Sequence, residues 1–330
     1  MIKRSIFLEG EKAMKTLYVV LPCYNEEEVL PETSSRLLTK MNALIKNKEI
    51  DAKSKILFVN DGSKDKTWTL LESLHKENPI FSCINLSSNR GHQNALLAGL
   101  MYAKNHADMT ISMDADLQDD INAMDEMISY YHKGIDIVYA VRSKRKTDTF
   151  FKRFTAESFY RVMNTLGVKT VFNHADYRLM SKRALEGLAE FREVNLFLRG
   201  IVPLIGYPTA SVYFERSERF AGESKYPLKK MLSFAIEGIT SFSTKPIRMV
   251  TYASFLSFII SITIFVYSLA QHYQGNTVPG WTSLIVSLWF IGGMLLMAIG
   301  IVGEYVGKIY IETKKRPRYL YSDILDKHKE

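Results

Sequence analysis

The sequence predicts an α/β protein: a mostly parallel sheet domain, then an amphipathic interfacial helix, then two transmembrane helices. Three observations predict it. Short apolar runs alternate with helix-length segments between residues 16 and 141. Each run empties into a polar loop. Two uncharged apolar stretches, 249–271 and 281–303, stand near the end of the chain.

Five runs read as strands: 16–23, 55–60, 81–86, 109–114 and 136–141. They are nearly continuously apolar, as strands covered on both faces are. Segments 26–45, 66–77, 93–106 and 121–133 carry helical patterns between them. Such alternation implies right-handed βαβ units and a mostly parallel sheet. Ligands of these sheets bind beyond the carboxyl ends of the strands. The loops there read YNEEE (24–28), DGS (61–63), SNRGHQ (88–93), DADLQD (114–119) and RSKRK (142–146). Any one alone is an ordinary turn or helix cap. All five at one sheet edge make a candidate site.

The chain divides into an extension (1–15), the α/β domain (16–226), an amphipathic helix (227–247), a two-span hairpin (248–304) and a basic tail (305–330). Residues 1–15 lack the apolar core of a signal peptide. Residues 227–245 repeat apolar side chains at three- and four-residue spacing, which suits an interfacial helix or one packed on the domain. Each apolar stretch is long enough to cross a hydrocarbon core of roughly 30 Å. Lys245 and Arg248 precede the first; Lys308, Lys314, Lys315, Arg316 and Arg318 follow the second; the connecting HYQGNTVPG has no Lys or Arg. The positive-inside rule then puts both termini and the α/β domain in the cytoplasm, with the chain a multi-pass protein of the cell membrane. A formal charge of +8 fits attraction to anionic lipid or a phosphorylated substrate. No nucleic-acid partner is expected. Cys23 and Cys83 form no metal-binding pattern and read as core residues of a reducing compartment. Glycines 292, 293, 300, 303 and 307 recur along the second stretch, so that helices can approach closely.

Asp114-Ala115-Asp116 is the strongest local signal. In extended backbone, side chains two apart share a face. Two carboxylates so placed can hold one hard cation, Mg²⁺ or Mn²⁺, bridging a diphosphate. Gln118 continues the alternation. The alternative is an acidic helix N-terminus, since 116–120 precede a helix.

The runs VVLPCYNEEE, FVNDGSKDKTW, SSNRGHQNALLAGL and SMDADLQDD, in this order, resemble the family 2 glycosyltransferases, which have the GT-A (Rossmann-like) fold. NHADYRLMSKRAL, ERFAGESKYPLKKML and the two spans narrow the resemblance to the polyprenyl-phosphate glycosyltransferases, which include bactoprenol glucosyltransferases and dolichol-phosphate mannose synthases. It covers about residues 16–320. Asp120 departs from relatives that often carry Pro there. The Q-x-x-R-W motif of processive polysaccharide synthases is missing: Trp68, Trp281 and Trp289 do not follow Arg. A membrane-tethered nucleotide-sugar scaffold is the non-enzymatic alternative; Asp176, Arg219 and Lys225 on the acceptor side argue against it.

The resemblance implies inverting transfer of a hexosyl group from a UDP-sugar to polyprenyl phosphate, and a homo-oligomer, a tetramer included. The stretches RSKRKTDTFFKR and NHADYRLM look closest to homologues linked to N-acetylglucosamine, while glucose is commoner in the wider group. It also implies site roles. Pro22, Tyr24, Glu26 and Asp61 bind the nucleoside; Asp114 and Asp116 approach ribose and the metal-bound diphosphate; Gln118 neighbours metal or sugar. Arg142 pairs with phosphate, or else belongs to a solvated basic run. Arg216, Arg219 and Lys225 close over both phosphates, or else attract headgroups. Asp176 stands beside the anomeric carbon as base or positioner, or else is a helix-start acid or partner of Arg178. His92 and His174 read as hydrogen-bonding positioners, since neither has a second His at ligand spacing.

Overall fold

A computed structural model describes residues 14–142, 174–194, 196–214, 245–274 and 280–327. The chain forms two compact units. One holds the α/β domain together with residues from 317 onward; the other holds the two long apolar helices.

Among the described residues the first unit contains one eight-stranded sheet in the order β7-β5-β6-β4-β1-β2-β3-β8. Its strands are β1 (Leu17–Cys23), β2 (Lys55–Asn60), β3 (Phe81–Leu86), β4 (Met109–Ser112), β5 (Ile137–Arg142), β6 (His174–Ser181), β7 (Thr209–Phe214) and β8 (Tyr321–Leu325). β1 pairs in parallel with both β2 and β4, and β2 with β3. β6 runs antiparallel between β4 and β5, and β8 antiparallel along β3.

Helices α1 (Leu30–Lys46), α2 (Thr67–Glu77), α3 (His92–Ala103) and α4 (Ala123–His132) fill the crossovers. Every residue of β1 and β2 is buried, as strands covered on both faces require. Leu37 and Met41 of α1 join that core with no exposure. Truncating such a side chain costs roughly 2–5 kcal/mol. α3 lies close on the sheet through Gly99: a Cβ there would stand 2.5 Å from Val20 Cγ1 and 2.7 Å from Val59 Cγ2. Cys23 and Cys83 are free and buried, as expected.

Three features differ from the sequence reading. α1 starts at Leu30 rather than at residue 26, because the Glu26 carbonyl first closes a turn with the amides of Val29 and Leu30. Pro31 then occupies the first helical turn, where its missing N–H costs nothing. Second, 174–181 is an internal strand, so Asp176 lies within the sheet and not after it. Third, the tail contributes β8. Leu320, six residues beyond the last helix of the chain, accepts from the Ser87 amide at 3.0 Å. The tail therefore joins the sheet beside the loop that follows β3. Its far end is fixed by Asp326, which accepts from Tyr102 Oη and Ser82 Oγ, both at 2.8 Å.

The second unit comprises α7 (Lys245–Tyr273) and α8 (Trp281–Lys314). At 1.5 Å per residue these span about 44 and 51 Å. Both are long and apolar enough to cross a membrane. Their apolar side chains are open to the surroundings: Phe255 is 66 % and Leu296 72 % exposed. Glycines 292, 293, 300, 303 and 307 have no atom of the described residues within 4 Å of an added Cβ. The expected interfacial helix, 227–247, falls outside the described residues up to 244.

Candidate active site

The loops after β1 and β2 are bound to each other. Asn25 takes φ 54°, a left-handed conformation that Asn tolerates. Its amide donates to Ser63 Oγ and its side-chain oxygen accepts from the Lys64 amide, both at 2.9 Å. The Glu26 amide donates to Thr67 Oγ1 at 2.9 Å. This leaves Tyr24 42 % exposed at the sheet edge, over buried Pro22. Glu26 is partly exposed and lies four residues before α1, so it is not an acid of that helix's first turn.

Asp61 organises the next loop. Its two oxygens accept from the amides of Arg90, at 2.7 Å, and Gly91, at 2.9 Å. Burial pushes its carboxyl upward while these amides oppose the rise. Gly62 must stay small: a Cβ would meet the Asn89 amide nitrogen at 2.6 Å, and its φ is +64°. Asp61 thus holds in place the loop leading to α3, of which His92 is the first residue.

Asp114 and Asp116 follow β4, but the strand stops at Ser112 and the chain turns. Leu117 adopts φ 57°, unusual for a branched side chain. Strand alternation therefore does not place Gln118, which is buried; its amide closes a turn on Asp116 Oδ1 at 3.2 Å. The backbone here is pinned from both sides. Thr33 Oγ1 donates to the Ala115 carbonyl at 2.8 Å and Tyr177 Oη to that of Asp120 at 3.0 Å.

Burial raises the Asp114 carboxyl, and Asp176 and Asp116 add to the rise against His92 and Arg142. Its buried Oδ1 has no hydrogen-bond partner. A buried carboxylate oxygen without a hydrogen bond, crowded by other carboxylates and faced by His92 at 3.4 Å, is the environment a divalent cation relieves. Among the described residues no group of three His, Cys, Asp or Glu forms a metal cluster. The two aspartates would fit a divalent cation that completes its ligands from elsewhere.

Asp176 is the most heavily compensated residue of the site. It is 7 % exposed on β6. Oδ1 accepts from Arg178 Nη2 at 2.6 Å and from Arg199 Nε at 3.3 Å; Oδ2 accepts from Arg199 Nη2 at 3.1 Å. His92 Nε2 stands 3.6 Å from Asp176 Oδ2 and 3.4 Å from Asp114 Oδ1, bridging the two carboxylates. Burial alone would raise the Asp176 carboxyl, but His92, Arg199 and Arg178 overcome it and hold it well below the usual range. The same carboxylates outweigh burial at His92 and raise its imidazole. The Asp176 backbone is fixed by Ser112 Oγ, which donates to its carbonyl at 2.6 Å.

Arg199 belongs to α6 (Leu198–Leu204), which follows α5 (Lys182–Ala189). The Leu198 amide donates to Gln93 Oε1 at 2.8 Å, tying α6 to the first turn of α3. Arg199 is absent from the sequence reading. Its one signal is its position as a lone cation in the apolar run LFLRGIVPLIG. Arg142 pairs with Asp119 at 3.1 Å, and Asp119 is buried with its carboxyl pushed up to about 6. Arg142 is thus partly buried at the site and not part of a solvated run. Arg216, Arg219 and Lys225 lie outside the described residues. The backbone of His174 opens β6.

Comparison with known proteins decides the family. Residues 18–188 match the model of glycosyl transferase family 2. The chain belongs to that family. Residues 245–309 match the GtrB C-terminal hairpin, the segment that holds α7 and most of α8. The uncharacterized glycosyltransferase YkoT of Bacillus subtilis (strain 168) is 54 % identical over 309 residues, 94 % of this chain and 92 % of its own. The bactoprenol glucosyl transferase of Shigella phage SfX is 40 % identical over 307 residues, 92 % of this chain and 97 % of its own. Among solved structures, glucosyl-3-phosphoglycerate synthase from Mycobacterium tuberculosis aligns with a TM-score of 0.40 at 16 % identity, over 68 % of this chain and 78 % of that one. As a family 2 member, the chain is a glycosyltransferase related to enzymes named for a lipid carrier.

Proposed function

We propose that this glycosyltransferase moves a hexosyl group, N-acetylglucosamine or glucose, from a UDP-sugar to undecaprenyl or a similar polyprenyl phosphate. One observation supports it above others. At a single sheet edge His92 links the Asp114/Asp116 pair, suited to a metal-bound diphosphate, to a carboxylate ringed by arginines, suited to a phosphate acceptor. The names of the phage and prophage relatives favour a bactoprenol carrier and glucose. The resemblance of residues 142–153 and 173–180 to homologues linked to N-acetylglucosamine favours that sugar.

In the mechanism we infer, Asp114 and Asp116 would hold Mg²⁺ or Mn²⁺, which would supply charge neutralisation for the diphosphate. Tyr24 and Glu26, with Pro22 beneath them, line the edge that receives the nucleoside, and Asp61 fixes the loop beside it. The acceptor phosphate oxygen forms a bond to the anomeric carbon as the bond from that carbon to the diphosphate oxygen breaks, with inversion; UDP leaves with the electron pair. No protein base is needed, because a phosphomonoester is already anionic near neutrality (second pKa about 6). Positioning and charge management then supply the rate.

We place the reaction at the cytoplasmic face. The Lys and Arg residues flanking the hairpin support this. The assembly we propose is a homo-oligomer, a tetramer included, approached through the glycine-bearing α8. The test is release of UDP from a UDP-sugar by the purified chain. Release dependent on polyprenyl phosphate supports the proposal; release of equal rate without it refutes it.

A further inference from the structure

We propose that Arg199 binds the acceptor phosphate and that Asp176 serves as the holder of its guanidinium. The inference rests on the transferase reading above and assigns a residue to its acceptor side.

The argument begins with charge. Asp176 brings one negative charge; Arg178 and Arg199 bring two positive ones. The two arginines differ in access. Arg178 has a side chain only 1 % exposed, and its Nε and Nη1 are buried without a hydrogen-bond partner. It cannot reach a substrate. The Arg199 side chain is 41 % exposed. Had Asp176 faced Arg199 alone, the pair would be neutral and would attract an anion weakly. With Arg178 buried against the same carboxylate, these three residues sum to one positive charge, whose accessible part is Arg199; His92 joins them to the carboxylate of Asp114.

Geometry points the same way. A guanidinium carries five N–H donors in a planar fork. Asp176 takes two of them, from Nε and Nη2. This fixes the plane of the fork and lowers the entropy lost when a phosphate oxygen docks. Arg199 is held near Asp114 through two contacts, Arg199 to Asp176 and His92 across Asp176 and Asp114. An anion on Arg199 would thus sit near the carboxylates assigned to the donor diphosphate, as a displacement between the two substrates requires.

The experiment uses the full chain in detergent, with farnesyl phosphate, farnesol, inorganic phosphate and UDP as separate binding probes. Arg199→Gln is expected to weaken farnesyl phosphate roughly tenfold or more, the scale of one charged hydrogen bond. UDP affinity should stay near wild type, since Arg178 and His92 still compensate Asp176, and Arg199→Lys should recover part of the loss. Farnesol should bind weakly to all three proteins, and inorganic phosphate more weakly than farnesyl phosphate. The proposal is overturned if the wild type does not bind farnesyl phosphate, or if Arg199→Gln binds it as wild type does. It is also overturned if Arg199→Gln weakens UDP in parallel, since Arg199 would then only brace Asp176, or if inorganic phosphate binds as tightly as the lipid, which would indicate general anion attraction. Sugar turnover by the wild type is scored separately. Its failure with every polyprenyl phosphate removes the transferase reading, while the binding comparison still decides the role of Arg199.

Discussion

Asp176 accepts hydrogen bonds from Arg199 through both carboxylate oxygens, from Nε at 3.3 Å and Nη2 at 3.1 Å. With Arg178 and His92 beside it, this carboxylate is held well below its usual range. A group that binds protons so poorly is a weak general base near pH 7. Asp176→Asn should therefore retain UDP-sugar binding and lose transfer by about tenfold to a hundredfold, the scale of a lost charged contact. The sign with pH follows from the depressed value: the carboxylate is ionised throughout pH 6–9, so the fractional loss should be constant there. A loss that shrinks steadily from pH 6 to pH 8 would restore Asp176 as the proton acceptor.

The Asp114 carboxyl is raised by burial and by Asp176 and Asp116. Asp116→Ala should cut turnover on the order of a hundredfold or more by weakening cation-assisted departure of UDP. The fold should survive, since Asp116 is partly exposed and its Oδ1 accepts from the Gln118 amide in a local turn. EDTA should abolish wild-type turnover, and Mg²⁺ or Mn²⁺ should restore it. Undiminished activity in excess EDTA would remove the metal from the account.

Arg142 neutralises the buried Asp119, whose carboxyl stands at about 6. Removing one partner of a buried pair costs roughly 3–5 kcal/mol. The Arg142 side chain is 23 % exposed, which puts Arg142→Ala near the lower bound, about 3 kcal/mol at pH 8. A carboxyl raised in the folded state disfavours folding once ionised, and that penalty fades as pH falls through the folded value. The stability gap between variant and wild type should thus be widest at pH 8 and narrow by pH 5. Denaturant melts at the two pH values measure it; an equal gap at both would show that Asp119 is not the charge Arg142 compensates.

Because β8 belongs to the catalytic sheet, the chain must end on the side where that sheet lies. Cys23 and Cys83 are buried, so a single introduced cysteine reports cleanly. In intact cells, cysteine at Asn276, which lies outside the described residues, should react with an impermeant reagent, and cysteine at Ser322 should not. Labelling at Ser322 alone would reverse the orientation.

Much of this was legible in the sequence for physical reasons. β2 and β3 match the expected bounds, since each is a short, mostly apolar run and both are almost wholly buried. β6 was not legible: HADYRLMS carries charges that mark a loop unless Asp176 and Arg178 neutralise each other inside the sheet. Nothing in the sequence announces that β4 ends at Ser112 or that Leu117 turns left-handed, so strand alternation places neither Asp114 and Asp116 nor Gln118. Asp326, in a basic tail, gives no sign that Tyr102 and Ser82 will bury it. The acidic pair was visible because both members lie in one short motif. The cations that complete the site come from β6 and α6 and meet only through the fold.

The most direct measurement is mass spectrometry of the lipid recovered after the purified chain is incubated with undecaprenyl phosphate and an equimolar mixture of UDP-sugars. The account predicts a polyprenyl phosphate whose mass has risen by one hexose or one N-acetylhexosamine, formed only with a divalent cation. Unchanged lipid alongside consumed UDP-sugar, or a product carrying a chain of many sugars, would contradict it.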